Sequence, residues 1–144
     1  MAKITLSDLA HTYFHGATDE SAFALKPMTH VWDDGGAYAL LGSSGCGKTT
    51  LLNIISGLVK PSHGRILFGE TDVTAQETAD RNIAQVFQFP VVYDTMTVRE
   101  NLAFPLLNRH YEASRVRARV EKIADMIGVN DLLDRKARGL TADL

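Results

Sequence analysis

The sequence predicts an α/β fold, and three observations carry that prediction. Short runs with strand character, at residues 3–9 and 64–69, lie among polar and glycine-rich turns. A further run at 38–41 is apolar without alternation, the pattern of a strand covered on both faces in a parallel sheet. It leads into a glycine-rich segment, after which Leu51, Ile54, Ile55 and Leu58 recur at helical spacing.

The elements follow in order. Residues 3–9 roughly alternate apolar and polar, which predicts a half-buried strand. Residues 15–21 read as a turn, and 22–32 as a second strand in which Pro27 marks an edge or a bulge. Asp33-Asp34-Gly35-Gly36 is a turn before the apolar run at 38–41. The helix at 51–58 is bracketed by Gly57 and Pro61. A strand at 64–69 and a polar stretch at 71–82 with a one- or two-turn helix precede a strand-like 83–88. Thr97 and Glu100 have capping-box spacing for a helix carrying Val98, Leu102 and Leu106, with Pro105 near its end. Val116, Val120, Ile123 and Ile127 mark one face of a helix over 112–127, stopped by Gly128. A last helical signal lies at 130–134.

Composition narrows the function classes. A chain of 144 residues with 45% apolar residues is an ordinary globular domain that can bury a core without disulfides. With 15 basic and 17 acidic residues the net charge is −2, which argues against a general nucleic-acid binder. The single Cys46 cannot form an internal disulfide, which fits a reducing compartment. No apolar run reaches the roughly 18 residues of a membrane span, and the N-terminus lacks a secretory pattern. The expectation is a soluble intracellular chain that could dock on a membrane protein.

The chemistry sits in Gly42-Ser43-Ser44-Gly45-Cys46-Gly47-Lys48-Thr49, which matches the phosphate-binding pattern G-x-x-x-x-G-K-[ST]. Glycines let the backbone wrap around phosphates and aim N–H groups at them. The helix behind the loop adds its positive end. Lys48 has the reach for β- and γ-phosphates, and the Thr49 hydroxyl can ligate Mg²⁺.

Around that loop the chain resembles the ATP-binding subunit of ABC transporters. The resemblance rests on Leu40-Leu41 leading into the loop and Thr50-Leu51-Leu52, then Ser56-Gly57-Leu58, then residues 61–66, PSHGRI. Val86-Phe87-Gln88 followed by residues 96–102, MTVRENL, is similar to the Q-loop and the start of that family's helical subdomain. Within the family the likeness is greatest to carbohydrate importers of the glycerol or polyol type. The fold this implies is an ABC-type P-loop nucleotide-binding domain, α/β, with an N-terminal antiparallel β lobe, a P-loop core and the start of a helical subdomain. About 1–88 would be lobe and core, and about 89–144 the Q-loop and helical beginning.

The resemblance also implies roles. Gly42, Ser43, Ser44, Gly45, Cys46, Gly47, Lys48, Thr49 and Thr50 would hold the phosphates of ATP. Tyr13 would stack on adenine, with Phe14 the competing aromatic. Gln88 would meet Mg²⁺ together with Thr49 and help place the attacking water, so Lys48 and Gln88 are the catalytic candidates. Residues 89–98, with Phe89, Val91, Val92 and Tyr93, would face membrane-spanning subunits or pack in the core. Asp94 ends an apolar run but lacks a following glutamate, and Arg115, Arg117 and Arg119 read as a solvated helix face.

The chain also departs from the family. It has no apolar run ending in Asp-Glu, hence no Walker B aspartate or catalytic glutamate, and no switch histidine follows. It therefore reads as the N-terminal portion of a longer subunit, cut inside the helical subdomain and inactive alone. Leu140-Thr141-Ala142-Asp143-Leu144 stands where the signature L-S-G-G-Q is expected, and Asp143 would repel a γ-phosphate. That departure points to pairing with a second, non-identical ATPase, although a homodimer stays open. The parent subunit is expected on the inner face of the cell membrane, using ATP hydrolysis to import a small solute, a carbohydrate or glycerol. A small phosphotransferase and a nucleotide-binding module without catalysis are the alternatives.

Overall fold

The computed structural model describes residues 3–14, 22–89, 91–138 and 140. The chain divides into two compact units, residues 1–85 and 86–144.

The first unit is built on an antiparallel sheet of strands β1 (Ile4–His11), β2 (Leu25–Trp32), β3 (His63–Phe68) and β4 (Thr71–Asp72), in the order β2-β1-β3-β4. The central strand is irregular for a reason. Asp8 has φ 47°, and the register slips there against both neighbours. The bulge adds one residue to the inward period, so Leu6 and Leu9 both reach the core. Across from it Gly64 has φ 78°, and a Cβ there would collide with the Asp8 carbonyl. Pro27 falls where β2 slips against β1, on an edge strand, as its missing N–H requires.

Helix α1 (Lys48–Ser56) packs on this sheet. Its Leu51 and Ile54 join Leu6, Leu9, Leu25, Ile66 and Val73 in one core. Each fully buried aliphatic side chain contributes about 2 kcal/mol. Leu58, expected on the helical face, lies beyond the helix and is exposed, because Gly57 at φ 84° ends it first. The polar stretch after β3 folds as the short β4 and then a single 3-10 turn, Thr78–Arg81.

Two strand expectations are corrected. Residues 38–41 are not a strand, and Leu41 is 88% exposed. Tyr38, Leu40 and Leu41 instead line an open groove of about 530 Å³ with Met28, Trp32 and Leu51. Residues 83–88 are likewise not a strand, and Val86 is 97% exposed. The physical reason is the same for both. A strand exists through its ladder, and neither segment has a paired neighbour among the described residues.

The second unit is a helical pair, α2 (Val98–Leu107) and α3 (Ala113–Ile127), with a 3-10 turn at Asn130–Leu132. Ala103, Val116, Val120, Ala124 and Leu133 form its core. The capping box is present: Glu100 N–H donates to Thr97 Oγ1 at 3.1 Å, and Thr97 N–H donates to Glu100 Oε2 at 2.7 Å. Carbonyls of Leu133 and Arg135 accept from the Arg99 and Val98 N–H groups and close that helix end. The α3 stripe is Val116, Val120 and Ala124, whereas Ile127 is exposed beside the terminating Gly128. No described helix is long and apolar enough to cross a membrane.

Candidate functional site

The loop 42–47 enters α1 through two glycines in the left-handed region, Gly45 at φ 79° and Gly47 at φ 90°. A side chain at Gly47 would strike the Ala24 carbonyl next to β2, so the loop lies directly against the strand entrance. Cys46 N–H donates to the Ser43 carbonyl at 3.3 Å, and Leu51 N–H to the Gly47 carbonyl at 2.8 Å. The Lys48 ammonium folds back over the loop, donating to the carbonyls of Gly42 at 2.8 Å and Ser43 at 2.7 Å. It also donates to Cys46 Sγ at 3.6 Å. Gly42, Ser43, Ser44, Gly45 and Cys46 are exposed, as is Thr49, while Gly47, Lys48 and Thr50 are half-buried.

The helix behind this loop is open at its N-terminus. Gly47 supplies no side-chain cap, and the first turn carries no acidic residue. Contrast α2, whose first N–H groups are taken by a capping box and two carbonyls. Orphan N–H groups, a left-handed glycine turn and a lysine in reach make a cradle for an anion with several oxygens.

Tyr13 lies in the same unit, at the end of β1. It is 60% exposed, and its ring stands edge-on to His11, with centroids 4.5 Å apart at 89°. His11 is buried, and its Nδ1 pairs with Ser62 Oγ at 3.2 Å while Nε2 has no partner among the described residues. Burial pushes the imidazole below its ordinary pKa. Thr12 Oγ1 donates to the Ala22 carbonyl at 2.9 Å and accepts from Phe14 N–H at 3.1 Å. Phe14 is also exposed.

Gln88 belongs to the second unit and is exposed. Beside it Phe89, Val91, Val92 and Tyr93 present apolar surface to solvent. Asp94 joins no group of three or more His, Cys, Asp or Glu that could hold a metal, and no such group exists among the described residues. Arg115 stacks over Tyr111 at 5.2 Å, Arg117 pairs with Glu121, and Arg119 is exposed, a solvated face. Of the segment 140–144, residues 141–144 lie outside the described residues, as does the turn expected at 15–21.

Two organising residues escaped the sequence reading. Asn101 accepts from Tyr93 N–H at 2.8 Å and donates to the Tyr93 carbonyl at 3.1 Å, clamping the turn before α2. Arg81 sits buried under α1. An Asn inside a helix, a poor helix former, is a faint signal for the first. Nothing local signals the second.

Comparison with known proteins agrees with this geometry. The family model for ABC transporters matches residues 25–144. The sn-glycerol-3-phosphate import ATP-binding protein of Jannaschia sp. (strain CCS1) is 37% identical over 141 residues, covering 98% of this chain and 39% of the relative. The trehalose/maltose import ATP-binding protein of Thermococcus litoralis is 42% identical over 124 residues, covering 82% of this chain and 33% of the relative. The chain thus spans about two fifths or less of the length of these relatives. A dimeric ATP-binding cassette bound to ADP and phosphate superposes with TM-score 0.78 at 26% identity, covering 96% of this chain and 63% of that one. A nucleotide-free cassette gives TM-score 0.74 at 28% identity, covering 98% and 60%. Sequence and fold agree, and the chain belongs to the ABC transporter family of ATP-binding cassettes.

Proposed function

We propose that this chain is the nucleotide-holding part of an importer's ATPase subunit. The observation that carries the reading is the phosphate loop, with Lys48 curled over glycine-turned backbone at the uncapped end of α1. The residues fit a triphosphate. Loop N–H groups from 42 to 50 would face its oxygens, and Lys48 would exchange a loop carbonyl for the β- and γ-phosphates. Tyr13 offers an exposed ring for adenine.

Thr49, exposed in the first turn of α1, would hold Mg²⁺ together with phosphate oxygens, and Gln88 is the further ligand that the family resemblance implies. When bound it would neutralise charge developing on the transferred phosphoryl group. Lys48 would hold the triphosphate in line, and Gln88 would orient the attacking water. Among the described residues none stands in for a catalytic glutamate, so the chain alone should bind ATP without steady turnover.

The names of the relatives support an importer of a small solute, a carbohydrate or a glycerol derivative. The exposed Phe89, Val91, Val92 and Tyr93 suit membrane-spanning subunits at the inner face of the cell membrane. A second ATPase subunit would complete the nucleotide sandwich.

Cys46 gives the test, because its exposed thiol lies inside the loop. A maleimide should label it readily in nucleotide-free protein, and Mg-ATP should protect it. Equal labelling rates at saturating ATP, with binding confirmed separately, would refute the placement.

A further inference from the structure

Arg81 is 3% exposed, and its guanidinium donates to four backbone carbonyls. Nη1 donates to Ile54 at 2.7 Å and to Ile55 at 2.9 Å, in the last turn of α1. Nε donates to Gln76 at 3.0 Å, and Nη2 to Thr74 at 3.3 Å. Burial pushes the guanidinium's pKa down, and the Glu77 charge partly opposes this, yet an arginine stays protonated. A buried cation of this kind persists only where acceptors satisfy its donors.

The acceptors it chose matter. The last carbonyls of a helix have no partner inside it. At the end of α1, Asn53 O accepts from Leu58 and Val59 N–H, and Ile54 O from Gly57 N–H. Arg81 supplies the donor to Ile55 and a second donor to Ile54. The last turn of α1 contains no basic residue of its own, so Arg81 also brings the positive charge that a helix C-terminus favours. Gly57 makes the room. A Cβ there would lie 2.7 Å from Arg81 Nε.

We infer that Arg81 is a positioning residue of the phosphate loop, acting through α1 rather than on the nucleotide. Helix α1 has nine residues, a rod of about 13 Å at 1.5 Å per residue. Its N-terminus is pinned where Gly47 abuts the Ala24 carbonyl, and its far end is pinned by the guanidinium fork. Axial slip or rotation of so short a rod moves the very N–H groups that would face phosphate. Arg81 also stands at the C-terminal end of its 3-10 turn, just before Asn82 at φ 49°, so the fork is aimed by the chain's own sharp turn. The inference rests on the phosphate-site reading above.

The test titrates the 144-residue chain with inorganic tripolyphosphate and with a fluorescent ATP analogue, in wild type, Arg81→Lys, Gly57→Ala and Lys48→Ala. Lysine keeps the charge but not the fork, and alanine at 57 displaces the guanidinium. Both variants should weaken both ligands by the same factor, about fivefold to tenfold, at the low end of couplings between separated sites. Lower thermal midpoints with unchanged affinity of the folded fraction would make Arg81 merely structural and overturn the inference. If Lys48→Ala also leaves affinity unchanged, the phosphate-site reading itself fails. A measurement on wild type needs no variant. Coupling is reciprocal, so saturating tripolyphosphate should slow hydrogen exchange at Arg81 Nε–H. No change there, with the loop saturated, would equally overturn the inference.

Discussion

Lys48→Ala removes a cation whose present partners are known, which allows its effect on nucleotide binding to be worked out. The ammonium holds two loop carbonyls, at 2.8 and 2.7 Å. Unit charges about 4 Å apart at an effective dielectric near 20 attract by about 4 kcal/mol, the scale for lysine against phosphate at this half-buried position. Engaging the phosphate costs the lysine one charge-assisted loop bond, about 1.5 kcal/mol. About 2.5 kcal/mol remains, or about a 60-fold weaker dissociation constant in the variant. The assay is titration of a fluorescent ATP analogue, and of inorganic tripolyphosphate, against both proteins, with circular dichroism confirming that the variant is folded. A folded variant that binds within twofold of wild type would refute the assignment of Lys48 and of the loop with it.

Three further outcomes are expected. Tyr13→Ala should weaken ATP several-fold while leaving tripolyphosphate unaffected, and equal losses for both ligands would remove the stacking role. His11 is held neutral by burial, below its ordinary 6.5. The unfolded chain therefore binds the extra proton, and stability is complete above pH 6.5 and declines as pH falls through it toward the folded value. Urea midpoints measured from pH 8 to pH 5 should drop less in His11→Gln than in wild type, and parallel curves would show that His11 contributes nothing. Thr97→Ala should cost about 1 kcal/mol in urea unfolding of the second unit, with Thr97→Ser largely neutral; an unchanged midpoint would mean that the cap is idle.

The sequence made contiguous chemistry legible and left tertiary chemistry hidden. The glycine turn leading into α1, the capping box of Thr97 and Glu100 and the stop at Gly128 are short-range devices, each complete within a few residues, and each stands where its pattern put it. The runs 38–41 and 83–88 have strand composition, yet whether they pair depends on a neighbouring strand that no local pattern encodes. Ile127 and Leu58 fit their helical stripes but lie at or past a terminating glycine, where the face ends. The bulge at Asp8 left only a slight mark, the two successive polar residues Ser7 and Asp8 between Leu6 and Leu9, and the slipped register shows what it means. Arg81 was hidden most completely. It sits in a polar stretch that reads as surface, and its burial is decided by carbonyls 26 and 27 residues away.

The sheet's two borders bear on how the protein behaves when concentrated. A long flat border with free N–H and C=O groups is a template on which foreign strands add and fibrils start. Here one border is β4, only two residues long. The other is β2, where Pro27 removes a donor in mid-strand and the slips against β1 bend the ladder. Neither offers a register into which a second chain could zip. Aggregation of this protein, when it occurs, should therefore begin at exposed apolar side chains such as Leu41, Val86 and Phe89 and yield amorphous rather than cross-β material.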